Sequence, residues 1–323
     1  MRWGLGALIG SAVLMGAVAS ACGDSGTDSG GGDGRLSVVA TTSVIAEFAQ
    51  EVGGDAIDLE TLIPAGVDVH SFEPPTRVAA EVAGADLVLV NGYNLEEGLL
   101  SVVVENVRGG VPVVAVSAGL EARAPVEEHD HEGEGPPDVA SAEAIDPLTF
   151  ADGDPHFWLS VPNAISYVEH IRDALVSADE ANADGYRERA SAYIARLETL
   201  DGEMRSQLAS VPEGRRQIVV FHDAFGYFAA EYGFEIAASL APGNPNQQPS
   251  AQDVASVVET VRDLDVPVVY AEPQFSSPLI EAVASETGAR VLSLASVPGP
   301  GVETYEALMR ADTQALVDGL GEG

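Results

Sequence analysis

The chain contains six histidines, and three of them share a setting that suits metal binding. His70 lies just beyond an apolar run at 57–63, in IPAGVDVHSFEPP. His222 lies just beyond another run at 218–221, in VVFHDAFGYF, and His156 stands in DGDPHFWLS. Neutral imidazole is the commonest nitrogen ligand for a transition metal, and three or four such donors make a tetrahedral zinc site. A single histidine at a strand end is ordinarily satisfied by backbone hydrogen bonds. Three of six in equivalent positions shift the balance towards one shared ligand. Phe72, Phe157, Trp158 and Phe225 stand beside them and would keep the local dielectric low, although they would serve equally well as core.

The remaining histidines read differently. His129 and His131 sit among Glu127, Glu128, Asp130, Glu132 and Glu134. That segment is either a weak, exposed metal trap or simply a solvated loop. His170 has Glu169 and Asp173 near it and reads as a surface residue with no role.

Far-apart imidazoles meet only if regular elements bring them together. Short apolar, β-rich runs at 36–41, 57–63, 86–90 and 111–116 alternate with helical stretches at 44–52, 76–83 and 95–108. Runs of this kind, flanked by Gly and Pro, are what buried parallel strands look like, and the alternation implies right-handed βαβ units. The rhythm breaks between about 120 and 150, where Pro125, Pro136, Pro137 and Pro147 interrupt an acid-rich loop. Ser160-Val161-Pro162 then opens a helix that runs to about Ala178. Tyr186, Ala190, Tyr193, Leu197, Leu200, Met204 and Leu208 mark a longer amphipathic helix, which Pro212 ends. Strands at 218–221, 234–240, 266–271 and 289–294 again alternate with helices at 224–232, 251–264, 278–287 and 304–320. Ser250-Ala251-Gln252-Asp253 is close to a capping box.

The fold class expected is therefore α/β: two parallel-sheet lobes, 35–160 and 179–323, joined by one rigid helix at 161–178, with a site in the cleft. Ligands of open parallel sheets bind outside the carboxyl ends of the strands, which is where His70 and His222 fall.

With 51 carboxylates against 15 cations, all of them Arg, the formal charge is −36. This excludes a nucleic-acid partner, since a polyanion needs basic patches. The uncharged run from Trp3 to Ala21 follows Arg2 and reads as a signal peptide at 1–21, the competing reading being an uncleaved anchor helix. Val18-Ala19-Ser20-Ala21-Cys22 is similar to a bacterial lipobox, with Ala19 where Leu is usual. Cys22, the sole cysteine, would then carry lipid, and the Gly/Ser/Asp/Thr stretch up to residue 34 would be a flexible tether. That places the folded part outside the cytoplasmic membrane, anchored to it.

The three histidine segments together carry a resemblance. Asp68-Val69-His70-Ser71-Phe72-Glu73-Pro74, Asp154-Pro155-His156-Phe157-Trp158-Leu159 and His222-Asp223-Ala224-Phe225-Gly226-Tyr227-Phe228 resemble the signature segments of the zinc/manganese substrate-binding lipoproteins of bacterial ABC importers. Ala271-Glu272-Pro273-Gln274-Phe275 resembles a further family segment. The likeness runs from about residue 36 to the C-terminus. It implies a metal held in the interlobe cleft by His70, His156 and His222, and delivery to a permease driven by a cytoplasmic ATPase, with a metallochaperone as a further partner to consider. Histidine at the third position, where manganese-type members often carry Glu, leans towards Zn²⁺, with Mn²⁺ or iron as the alternative. Many members supply an Asp after the last strand. Here Leu292-Ser293-Leu294-Ala295-Ser296-Val297 has no carboxylate, which leaves the fourth ligand to a water or to an unplaced residue, with Glu303 and Asp223 the nearest candidates.

The expected function is binding without catalysis. A zinc hydrolase would need a general base beside a metal-bound water. The chain has neither HExxH nor GxSxG, and only Asp223 and Glu272 would qualify. A surface adhesin has nothing in its favour beyond exposure and the family-level association with cell adhesion.

Overall fold

Apolar strand sequences with no polar alternation, such as Leu87–Val90, demand burial on both faces, and this strand is buried along its whole length. The computed structural model describes residues 34–124, 145–146, 149, 151–241, 249–275 and 278–321. Cys22, His129 and His131 lie outside the described residues.

The first half of the chain builds β1 (Leu36–Ala40), α1 (Ser43–Gly53), β2 (Ile57–Thr61), α2 (Arg77–Gly84), β3 (Leu87–Val90), α3 (Glu97–Asn106) and β4 (Val113–Ala115). All pairings are parallel, in the order β2-β1-β3-β4. Then come α4 (Val161–Ala178) and α5 (Ala183–Leu208). The second half builds β5 (Gln217–His222), α6 (Gly226–Tyr232), β6 (Glu235–Ala241), α7 (Ala251–Asp263), β7 (Val268–Ala271), α8 (Pro278–Thr287), β8 (Arg290–Ser293) and α9 (Tyr305–Leu320). Its sheet, also parallel, has the equivalent order β6-β5-β7-β8. Each sheet therefore reverses its strand order once, between β1 and β3 and between β5 and β7. Such switch points open a crevice at the strands' carboxyl ends.

Helix boundaries follow local chemistry. Thr42 caps α1 by accepting the Ile45 N–H. Ser250 and Asp253 form the expected capping box of α7. Gly233 ends α6 at φ 75°, where a side chain would be strained. Several strands stop one or two residues short of their apolar runs. Leu62 and Ile63 are buried beyond β2, for instance, but belong to the turn.

α4 and α5 both lie in the chain between the two sheets. α4 packs on α1 and β3, whereas the longer α5 packs on both α1 of the first half and α9 of the second. Phe48 of α1 is the hub, with ring centroids 6.5 Å from Tyr167, 5.8 Å from Tyr193 and 5.0 Å from Tyr305. Phe48 is fully buried, so Phe48→Ala should cost about 3–5 kcal/mol by cavity formation. Arg196 of α5 spans the same junction, bonding Glu51 of α1 at 2.8 Å and Glu306 of α9 at 3.0 Å.

Candidate metal centre

His222 is the last residue of β5, so the strand itself aims its side chain into the second switch point. The pairing of Val220 with Tyr270 in β7 sets Glu272, just past that strand, beside it. The imidazole Nδ1–H donates to Glu272 Oε1 at 3.2 Å. Both residues are only 2% exposed. A carboxylate on Nδ1 fixes the hydrogen there and leaves the Nε2 lone pair free. His222 Nε2 is buried and has no hydrogen-bond partner among the described residues.

His156 is presented in the same way. Asp154 Oδ1 accepts the His156 backbone N–H at 3.0 Å and its Nδ1–H at 2.9 Å. His70 sits in the loop after β2, half-buried, and its backbone N–H donates to Asp68 Oδ1 at 3.1 Å. The repeated Asp-x-His spacing is thus a short side-chain-to-backbone turn used twice.

The three rings converge. One ring nitrogen from each of His70, His156 and His222 lies within 4.8 Å of the other two, and among the described residues this is the group of such donors close enough to hold an ion. His70 Nε2 and His156 Nε2 are 3.3 Å apart. Two ligands of a tetrahedral zinc, at about 2.0–2.1 Å each, lie about 3.3–3.4 Å apart. As the rings stand, the two nitrogens share one hydrogen. Asp154 holds that of His156 on Nδ1, so the shared one belongs to His70, and a bound ion would take its place. Ring centroids are 4.9–5.4 Å apart across the three pairs.

The cavity they line, with Trp158, Phe275 and Val297 on its walls, measures about 10 Å³. It takes a single ion-sized occupant. Organic substrates need several hundred Å³. Glu303 and Asp223 neither join the cluster nor line this cavity. Asp68, Gln274 and Ser296 are the polar side chains besides the histidines that do. His170 is elsewhere, on α4, with its Nδ1 bonded to the Val116 carbonyl at 2.7 Å.

Burial governs the charge states. It pushes His70 down to about 3, with the neighbouring rings of His156 and His222 adding to the effect. It holds His156 well below the ordinary imidazole value, again with His222 contributing. For His222 burial acts in the same direction, but the charge and hydrogen bond of Glu272, joined by Asp223 and Asp68, outweigh it and raise the pKa. Asp154 is raised to about 6 by burial, against the His156 N–H and Arg123. Two neutral imidazoles and one imidazole backed by a carboxylate therefore face the cavity.

The sequence profile of the family described as "ZnuA: Zinc-uptake complex component A periplasmic" matches residues 38–319. The chain belongs to the ZnuA family. It is similar to the iron-binding protein YfeA of Yersinia pestis, 33% identical over 294 residues that cover 89% of this chain and 87% of the relative. It is also similar to the manganese-binding lipoprotein MntA of Halalkalibacterium halodurans, 30% identical over 318 residues that cover 96% and 97%. Among solved structures, the periplasmic zinc binding protein TroA from Treponema pallidum superposes with a TM-score of 0.74 at 25% identity, covering 90% of this chain and 100% of that one. The Mn-bound periplasmic metal binding protein from Candidatus Liberibacter asiaticus reaches 0.76 at 25% identity, covering 88% and 100%.

As a ZnuA-family member, the protein is a metal-binding, substrate-binding component of an ABC transporter, not an enzyme. The fold expectation of two parallel α/β lobes with a long helix between them holds. Among the described residues, no helix is long and apolar enough to cross a membrane. The ring-orienting roles of Asp154 and Glu272 were not anticipated from sequence. The doubled Asp-x-His spacing was an available signal for the first; nothing local marks the second.

Proposed function

We propose that this ZnuA-family protein captures Zn²⁺ through His70, His156 and His222 and delivers it to an ABC permease powered by its ATPase. The lobes would be 35–160 and 179–323, connected through 161–178. Lipid on Cys22 would anchor the protein outside the cytoplasmic membrane. The observation that carries the choice of ion is a donor cluster of three imidazoles that contains no carboxylate. Nitrogen-rich sites follow the order Mn²⁺ < Fe²⁺ < Zn²⁺, and manganese prefers oxygen. A water, or Asp68 from the cavity wall, would complete the tetrahedron.

The relatives named for iron and manganese support a second reading, in which either of those ions is the cargo. Competition at matched free concentrations separates the two. Zn²⁺ should displace Mn²⁺ and Fe²⁺ from the purified protein; retention of Mn²⁺ or Fe²⁺ against Zn²⁺ would overturn the zinc assignment.

A further inference from the structure

Ser296 lies in the stretch after β8 that carries no carboxylate, and its side chain holds a partner of one of the histidines. Its hydroxyl donates to Glu272 Oε2 at 2.7 Å. Gln274 Nε2 donates to the same carboxylate oxygen at 2.8 Å and to the Ser296 hydroxyl at 2.6 Å. The Ser296 carbonyl accepts the indole N–H of Trp158 at 2.7 Å. Trp158 belongs to the turn that follows His156, and its ring centroid is 5.4 Å from that imidazole. The segment is pinned from behind, since the Ala295 N–H donates to Asp312 Oδ1 of α9 at 2.9 Å. Ser296 is 5% exposed, Trp158 3% and Asp312 3%.

These contacts form one path. It runs from His156 through its neighbour Trp158 to the Ser296 backbone, then through the Ser296 hydroxyl to Glu272 and so to His222. We propose that Ser296 is a positioning residue of the metal site. It locks the Glu272 carboxylate in the plane where it orients His222 and, through its carbonyl, sets that ligand in register with His156. A carboxylate held by a single partner can rotate about its terminal torsion, which is broad for Glu. Two donors on Oε2 and an imidazole on Oε1 stop that rotation. Outer contacts of this kind typically carry about 10–100-fold in metal affinity. The inference rests on the reading of His70, His156 and His222 as ligands.

The test is a double-mutant cycle on the mature full-length protein. Zn²⁺ affinity is read by chelator competition, and Co²⁺ is used as a spectroscopic probe of ligand geometry. Ser296→Ala should weaken Zn²⁺ binding about 10–100-fold and alter the Co²⁺ ligand-field spectrum. Combined with Glu272→Gln it should add little, because both changes break the same support. Additive losses, or a Ser296→Ala protein with unchanged affinity and spectrum, would overturn the proposal. Should Ser296→Ala fail to fold, Gln274→Leu, which removes the other donor to Oε2 from a less buried position, replaces it in the same cycle and is judged by the same criteria. His222→Ala serves as the reference. If it binds like the wild type, the ligand reading falls. If it loses the ion while the Ser296 and Gln274 changes have no effect, only the positioning role falls.

Discussion

The two sheets have equivalent strand order yet use their switch points differently. Between β1 and β3 the crevice is plugged by Glu96, which is fully buried. Its Oε1 accepts the Thr41 hydroxyl and the Asn91 N–H, and its Oε2 has no partner among the described residues. Burial raises its pKa against those hydrogen bonds, which favours the uncharged acid. Between β5 and β7 the equivalent place holds His222 with Glu272 behind it. A buried carboxyl facing only neutral donors is a structural plug. One facing an imidazole makes a polarised pair that can accept a cation. The other two proposed ligands come from farther out, His70 on the loop after β2 and His156 just before α4. The proposed metal site would thus combine one rigid strand end with two residues outside the strands.

The largest expected effect comes from removing ligands. Zinc contributes roughly 10–16 kcal/mol in small zinc domains, or about 3 kcal/mol per ligand, which corresponds to about a hundredfold. His222→Ala and His156→Ala should each cost at least that much in Zn²⁺ affinity. His70→Ala should cost less, because no carboxylate among the described residues hydrogen-bonds its ring and its loop can readjust. Equal losses at all three positions, measured by chelator competition, would erase the distinction between strand-end and loop ligands.

Most of this architecture was legible beforehand, and for a physical reason. Buried parallel strands need continuous apolar runs, and every such run became a strand or led directly into one. His70 and His222 stood out because strand ends are where open sheets present side chains, whereas His156 borders the connecting helix. Glu272 did not stand out as a support for His222. The two residues are 50 positions apart and meet only through the β5–β7 pairing, so no spacing rule reveals their contact. The role of α5 was hidden for a similar reason. Its apolar stripe shows that it packs, but not that it packs on α1 and α9 together.

The next effect separates the two buried carboxyls. Glu272→Gln should weaken Zn²⁺ binding about 10–100-fold, whereas Glu96→Gln should leave it unchanged. The pH profile gives the sign. A proton added to His222 goes to Nε2, the nitrogen that must bind the ion. The raised pKa of His222 therefore makes wild-type affinity begin to fall at a higher pH than an ordinary imidazole would give, by about tenfold per unit, or one proton. His70, at about 3, and His156, held well below the ordinary value, do not compete until far lower pH. In Glu272→Gln, burial is opposed only by Asp223 and Asp68, so the fall should move to lower pH. Loss of three protons per ion in one pH step would mean that all the imidazoles titrate alike.

The smallest effect lies where the halves touch. Glu47 of α1 accepts the Tyr305 N–H, at the start of α9, through both oxygens at 2.9 and 2.8 Å. Burial raises its pKa to about 7 against that hydrogen bond, with Glu51 and Glu306 pushing the same way and Arg196 opposing. The folded state therefore holds this proton more tightly than the unfolded chain, whose Glu titrates near 4.3. The stability gained is complete below that value, declines as pH rises and is gone above about 7. Glu47→Gln keeps an acceptor for Tyr305 but cannot ionise. Its melting temperature relative to wild type should therefore rise between pH 5 and 8, while Zn²⁺ affinity stays unchanged. A constant difference across that range would show that Glu47 ionises as an ordinary surface acid. A change in affinity would show that the α1–α9 junction is coupled to the ligands, and the two halves would then have to be treated as one mechanical unit.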